Sequence, residues 1–169
     1  MLRLVALQMV HIAQSTAEVY TSSALLVAED QELVSAALKA TEAAYAPYSH
    51  FRVGAALRLA SGQIVCGSNQ ENAAYPSGLC AERVALFSAF AQFPKEELRA
   101  IAIAATSQTQ DSSAFVQTAH PVTPCGACRQ VIFEYATRSS QPVRVLMAGA
   151  DEIWLVDDAR TLLPFAFTL

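Results

Sequence analysis

Phe51-Arg52-Val53-Gly54-Ala55-Ala56-Leu57-Arg58-Leu59-Ala60-Ser61-Gly62-Gln63-Ile64-Val65-Cys66-Gly67 is the stretch that decides the fold. Up to Leu59 its residues alternate. Phe51, Val53, Ala55, Leu57 and Leu59 share one side of a strand, and Arg52, Gly54, Ala56 and Arg58 share the other. Ser61-Gly62 signals a turn, and Gln63 to Gly67 reads as the returning strand of a hairpin. Upstream, Asp30 is expected to cap a helix in which Leu33, Val34, Ala37, Leu38 and Thr41 recur at helical spacing. Pro47 should end that helix, with Ala-Pro-Tyr-Ser forming a tight corner.

Downstream, Gly78 breaks the chain before a helix carrying Cys80, Glu82, Val84, Leu86 and Phe87. Ala100 to Thr106 is a short continuous apolar run, read as a buried strand. Cys125 opens another helix through Tyr135, and residues 143–148 and 153–156 read as two final strands. The order is helix, two strands, helix, strand, helix, two strands. It predicts an α/β fold, a three-layer α/β/α sandwich with a mixed sheet and helices on both faces. The polar stretch from Ser107 to Thr123 is long for a loop in a compact domain, and is expected to be either mobile or part of a rim.

A chain of 169 residues supports one domain with a substantial core. We divide it into an N-terminal extension, residues 1–29, and a domain spanning 30–169. The extension is apolar, but Gln8 and His11 interrupt it. It offers neither a bilayer-length apolar run nor a clear secretory signal, so a cytoplasmic protein with no membrane association is expected. The formal charge is −4 with no Lys/Arg cluster, which disfavours nucleic acid and suits a small substrate of little charge. Four cysteines could form two disulfides, but a chain that is 53% apolar has no need of such staples. Neither a Gly-rich phosphate loop nor a Gly-x-Ser-x-Gly elbow is present.

Two motifs carry the chemistry. Cys80-Ala81-Glu82-Arg83 and Pro124-Cys125-Gly126-Ala127-Cys128-Arg129 together supply three thiolates and one carboxylate that need not ligate. Cys125 and Cys128 fall on one side of a helical turn, and Cys80 can complete a triangle if the two helices lie side by side. Helix N-termini favour the thiolate form. This is the donor set of a zinc site with one position left for water, and Glu82 is placed to carry protons. Three thiolates on a divalent ion leave a net negative charge, which Arg83, in preference to Arg129, is expected to offset. A closed structural site would need a fourth ligand, for which His120 and Cys66 are the candidates. A redox role for Cys125 and Cys128 is the other alternative.

Taken with Ala-Tyr-Ala-Pro-Tyr-Ser-His-Phe-x-Val-Gly-Ala-Ala-Leu at 44–57, Asn-x-Glu-Asn-Ala at 69–73 and Tyr-Pro-x-Gly-x-Cys-Ala-Glu-Arg at 75–83, these motifs give a highly specific pattern. The chain resembles the small, homotetrameric, zinc-dependent class of cytidine deaminases over roughly residues 31–169. The resemblance implies a five-stranded mixed sheet and one zinc per subunit on Cys80, Cys125 and Cys128, with Glu82 as proton shuttle. It implies a nucleoside held by Asn69 and Glu71 at the ribose, with Phe51 and Ala81 at the base. Phe167 would stack from a neighbouring subunit of a homotetramer, and Tyr75 and Ala73 would approach the 5′ end. The expected reaction is deamination of cytidine and 2′-deoxycytidine in pyrimidine salvage. The nearest rival is a related zinc deaminase such as one acting on blasticidin S. Asn-x-Glu-Asn and the Arg after Cys-Ala-Glu favour the nucleoside. The residues before Asp30 and the length of 107–123 depart from the shortest relatives.

Overall fold

The computed structural model describes residues 15–109 and 113–169. The strands among them are β1 (Glu18–Tyr20), β2 (Phe51–Leu59), β3 (Ile64–Ser68), β4 (Leu98–Gln108), β5 (Phe115–Gln117), β6 (Arg144–Ala148) and β7 (Ile153–Val156), and the helices are α1 (Ala28–Ala40), α2 (Ala81–Gln92) and α3 (Gly126–Thr137). The sheet runs β1-β7-β6-β4-β2-β3, and β5 pairs with β4 beyond the end of β6. β4 and β6 are parallel and every other pairing is antiparallel, so the sheet is mixed, as the element order predicts.

The predicted alternation along β2 divides the core. Ala55, Leu57 and Leu59 pack with Ala81, Ala85 and Leu86 of α2 and Ile132 of α3. On the opposite face Ala56 packs with Leu33, Val34 and Ala37 of α1. The run Ala100-Ile101-Ala102-Ile103-Ala104 in β4 is itself alternating. Its isoleucines face α2 and α3 and its alanines face α1, so a bulky layer lies on one side and a closely approaching helix on the other. Each fully buried isoleucine or leucine contributes about 1.5–3 kcal/mol relative to exposure. Gly67 of β3 lets α2 sit hard against the sheet: a Cβ there would lie 2.4 Å from the Ala85 amide nitrogen and 2.8 Å from the Ala81 carbonyl oxygen.

Three expectations need correction. Among the described residues seven strands replace five, because β1 and β5 are three residues each, too short to show a period. Asp30 is no cap. Helix α1 starts at Ala28 with Val27 as N-cap, and Asp30 lies in the first turn, where its buried carboxylate accepts a 2.7 Å bond from Arg144 Nη1. The helix also ends well before Pro47, giving way after Ala40 to a 3-10 turn, Thr41–Ala43, with Thr41 Oγ1 donating to the Leu38 carbonyl at 2.7 Å. The described residues of the stretch 107–123 include the end of β4, all of β5, and Val122 and Thr123, which form part of the cavity wall described below.

Candidate active site

Both cysteine motifs fall at helix N-termini. Cys80 is the N-cap of α2 and Cys125 the N-cap of α3, and neither side chain caps its own helix. The first-turn N–H groups and helix dipoles therefore favour negative charge at the sulfurs. Cys128 lies in the first turn of α3 and is fully buried; Cys80 is half-buried and Cys125 exposed. α2 and α3 share one face of the sheet, which brings the three Sγ atoms within 4.8 Å of one another, with Cys80 and Cys125 3.9 Å apart.

Protons and charge are shared tightly among these groups. The Cys80 thiol is held down to about 5, first by hydrogen bonding with Cys128 and then by Arg83, whose Nη2 lies 3.7 Å from its sulfur. Cys128 is pushed up by its bond to Cys80, by burial and by the charge of Glu82. A divalent cation supplies the positive charge that lets all three sulfurs ionise together. The donor set fits zinc: three soft thiolates and, among the described residues, no further His, Cys, Asp or Glu in the cluster. His120 instead faces Glu152, its Nδ1 3.2 Å from Oε1, and Cys66 lies exposed on β3 outside the cluster. Arg129 Nε donates to the Pro124 carbonyl at 2.8 Å, leaving Arg83 as the guanidinium beside Cys80.

Glu82, in the first turn of α2, is 4% exposed. Burial pushes its carboxyl above the ordinary value, and the charge on Cys80 adds to the effect. Glu82, Cys80, Cys125, Arg83, Asn69, Glu71 and Tyr75 all line one cavity of roughly 680 Å³. That volume is ample for a small organic ligand.

Asn69 and Glu71 follow the end of β3, and both are anchored. Asn69 Oδ1 accepts from the Val53 N–H at 2.7 Å, and Nδ2 donates to the Phe51 carbonyl at 3.0 Å. Glu71 accepts from the Tyr48 N–H at 2.9 Å, from the Ser49 N–H at 3.3 Å and from the Ser49 hydroxyl at 2.5 Å. His50 closes this corner with φ of 52°.

The other sequence candidates lie elsewhere. Ala81 is buried in the core at the start of α2. The Phe51 side chain is half-buried and does not line the cavity. Phe167 is 68% exposed, outside the cavity of its own chain, and its backbone N–H and C=O are clamped by the Gln130 side chain at 2.9 Å each. Val53, Tyr48, Ser49, Val122 and Thr123 also line the cavity, and sequence reasoning assigns them no role. Their signal is adjacency: Tyr48 and Ser49 stand inside the 44–57 motif, and Val122 and Thr123 directly precede Pro-Cys.

A mixed sheet with a buried glutamate beside three convergent sulfurs at paired helix N-termini defines a zinc deaminase fold and site. The chain belongs to the family described as the cytidine and deoxycytidylate deaminase zinc-binding region, whose model matches residues 27–141. It is 40% identical over 138 residues to a cytidine deaminase from Halalkalibacterium halodurans, covering 82% of this chain and 93% of that one. The crystal structure of a cytidine deaminase from Burkholderia pseudomallei superposes with a TM-score of 0.63 at 41% identity, over 80% of this chain and 97% of that one. A Mycobacterium tuberculosis cytidine deaminase structure gives 0.61 at 30% identity, over 82% and 96%. The protein is thus an enzyme of the cytidine deaminase family with a zinc centre.

Proposed function

We propose that the protein hydrolyses cytidine and 2′-deoxycytidine to uridine and 2′-deoxyuridine with release of ammonia, using zinc held by Cys80, Cys125 and Cys128. One observation carries this reading: a buried glutamate and a three-sulfur cluster share a cavity with an anchored Asn/Glu pair.

Bound zinc would supply a polarised water able to lose a proton near neutral pH. Glu82 then does the proton work. Its raised affinity for a proton suits it to take one from the attacking water and deliver it to N3 of the ring. As the oxygen bonds to C4, the C4=N3 π pair moves onto N3 to hold that proton, giving a tetrahedral C4. The C4=O bond then forms as the C4–N4 bond breaks with its electron pair going to nitrogen. Glu82 relays the second water proton to the departing amine, so ammonia leaves and the carboxylate is regenerated. Arg83 steadies the thiolate charge from its place beside Cys80.

Asn69 and Glu71 have capacity left for a ribose hydroxyl. A carboxylate offers about four acceptor positions and Glu71 uses three; the Asn69 amide retains one N–H and one lone pair. A 3′-hydroxyl bound there excludes 3′-linked polynucleotides. The exposed rings of Tyr45, Tyr75, Phe165 and Phe167 support a homotetramer in which Phe167 of one subunit stacks on the base held by another. In this reading residues 30–169 form the catalytic unit and Tyr75 flanks the sugar. The role is pyrimidine salvage in the cytoplasm. Among the described residues no helix is long and apolar enough to cross a membrane.

The test is a substrate panel of cytidine, 2′-deoxycytidine, blasticidin S and a cytosine-containing oligonucleotide, with products separated chromatographically. Both nucleosides should be converted and the oligonucleotide left intact. Folded, zinc-replete protein that converts neither nucleoside would refute the reading.

A further inference from the structure

Cys125 is reached through a segment held at both of its ends. At the near end β5 pairs with β4, Gln108 opposite Phe115 and Thr106 opposite Gln117, and the Arg52 guanidinium lies 3.6 Å over the Phe115 ring. At the far end the chain docks on the turn between β6 and β7. The Ala150 N–H donates to the Thr118 carbonyl at 2.8 Å and the Asp151 N–H to the Ala119 carbonyl at 3.0 Å, and His120 faces Glu152. Thr118 Oγ1 donates to the His120 carbonyl at 3.0 Å, fixing the bend.

This docking requires Gly149. A Cβ there would lie 2.4 Å from the Ala119 oxygen, 2.6 Å from the His120 carbonyl carbon and 2.8 Å from the Pro121 nitrogen. All three are backbone atoms, so no side chain can swing aside to make room. The next residues are Pro121, Val122, Thr123, Pro124 and Cys125. Two prolines restrict φ along this span, so a shift at Ala119 passes on with little slack. Val122 and Thr123 line the cavity, and Cys125 belongs to the sulfur cluster.

We propose that Phe115–Pro124 is a docked arm that sets the position of Cys125 and of the Val122–Thr123 wall, and that Gly149 is the positioning residue that seats it. The inference rests on the reading of Cys125 as a zinc ligand.

The experiment is Gly149→Ala in the zinc-loaded enzyme, with three readouts: the rate of zinc transfer to a chromophoric chelator, KM and kcat for cytidine, and amide hydrogen exchange. Zinc loss should accelerate about 10–100-fold, the usual cost of disturbing the groups that orient metal ligands. KM should rise. The Ala150 and Asp151 amides should lose protection while those of β4 keep it. Wild-type zinc retention and KM in the folded variant would overturn the proposal. Should that variant not fold, Thr118→Val removes a single bond of the arm and should speed zinc loss about threefold, the scale of one neutral hydrogen bond; an unchanged rate overturns the proposal equally. Wild-type protein that neither binds zinc nor converts cytidine would overturn the functional reading and this inference with it. With an active wild type, wild-type behaviour of the variants overturns the docking alone and leaves the functional reading standing.

Discussion

Arg83 Nη2 sits 3.7 Å from Cys80 Sγ, one helical turn along α2 from the sulfur it faces. Three thiolates on a divalent ion would carry a net negative charge that weakens its polarising power, and the guanidinium is placed to oppose that charge. Arg83→Gln should lower kcat by about tenfold, the scale of one charge-assisted hydrogen bond, and speed zinc loss to a chelator. Steady-state kinetics alongside chelator competition would check it. Unchanged values in both would remove Arg83 from the site.

Glu82→Gln keeps the shape of the side chain and removes its proton-carrying ability. Zinc content, measured by elemental analysis, should stay at one per chain. The value of kcat should fall by about 10²–10⁴, the usual contribution of a positioned acid–base group. Near-normal turnover in this variant would reject the shuttle.

The Glu71 carboxyl is held below its ordinary value of 4.5, first by the Ser49 hydroxyl and then by the Tyr48 N–H. A depressed folded value means that this latch is fully present above the ordinary value and is lost as pH falls through the lowered one. An NMR titration of the Glu71 side chain should therefore find its midpoint below 4.5, and Ser49→Ala should move it back upward. The same variant should raise KM for cytidine at neutral pH, because the carboxylate loses a group that orients it.

Arg144 pairs with the buried Asp30 across α1 and β6. Arg144→Met strands a buried carboxylate. It should cost about 3 kcal/mol, at the low end of the range for broken buried pairs because Arg144 is one-third exposed. Urea denaturation measures the loss. Adding Asp30→Leu should recover most of it, since a matched apolar pair needs no counter-charge.

What the sequence reveals follows from where its signal is periodic. Phe51 to Leu59 alternates over nine residues, and that alternation separates the two faces of β2 as the core divides them. β1 and β5 have three residues each, too short to show a period; β1 joins the sheet through β7, far away in sequence, and β5 folds back on the end of β4. Asp30 reads as a cap because a helix dipole favours an acidic residue both at the cap and in the first turn, and the two patterns look alike. Cys125 with Cys128, and Cys80 with Glu82, are legible because each pair is a short motif at a helix start, whereas the meeting of the two motifs depends on α2 and α3 packing side by side on the sheet. Val122 and Thr123 are not, because their place comes from docking on the 149–152 turn, a contact with no local signature.

The most direct measurement of the central claim is the loss of cytosine absorbance when purified protein of known zinc content is mixed with cytidine. Turnover should scale with bound zinc, vanish when the metal is stripped, and return when it is restored. A folded protein carrying one zinc per chain that leaves cytidine unchanged would contradict it.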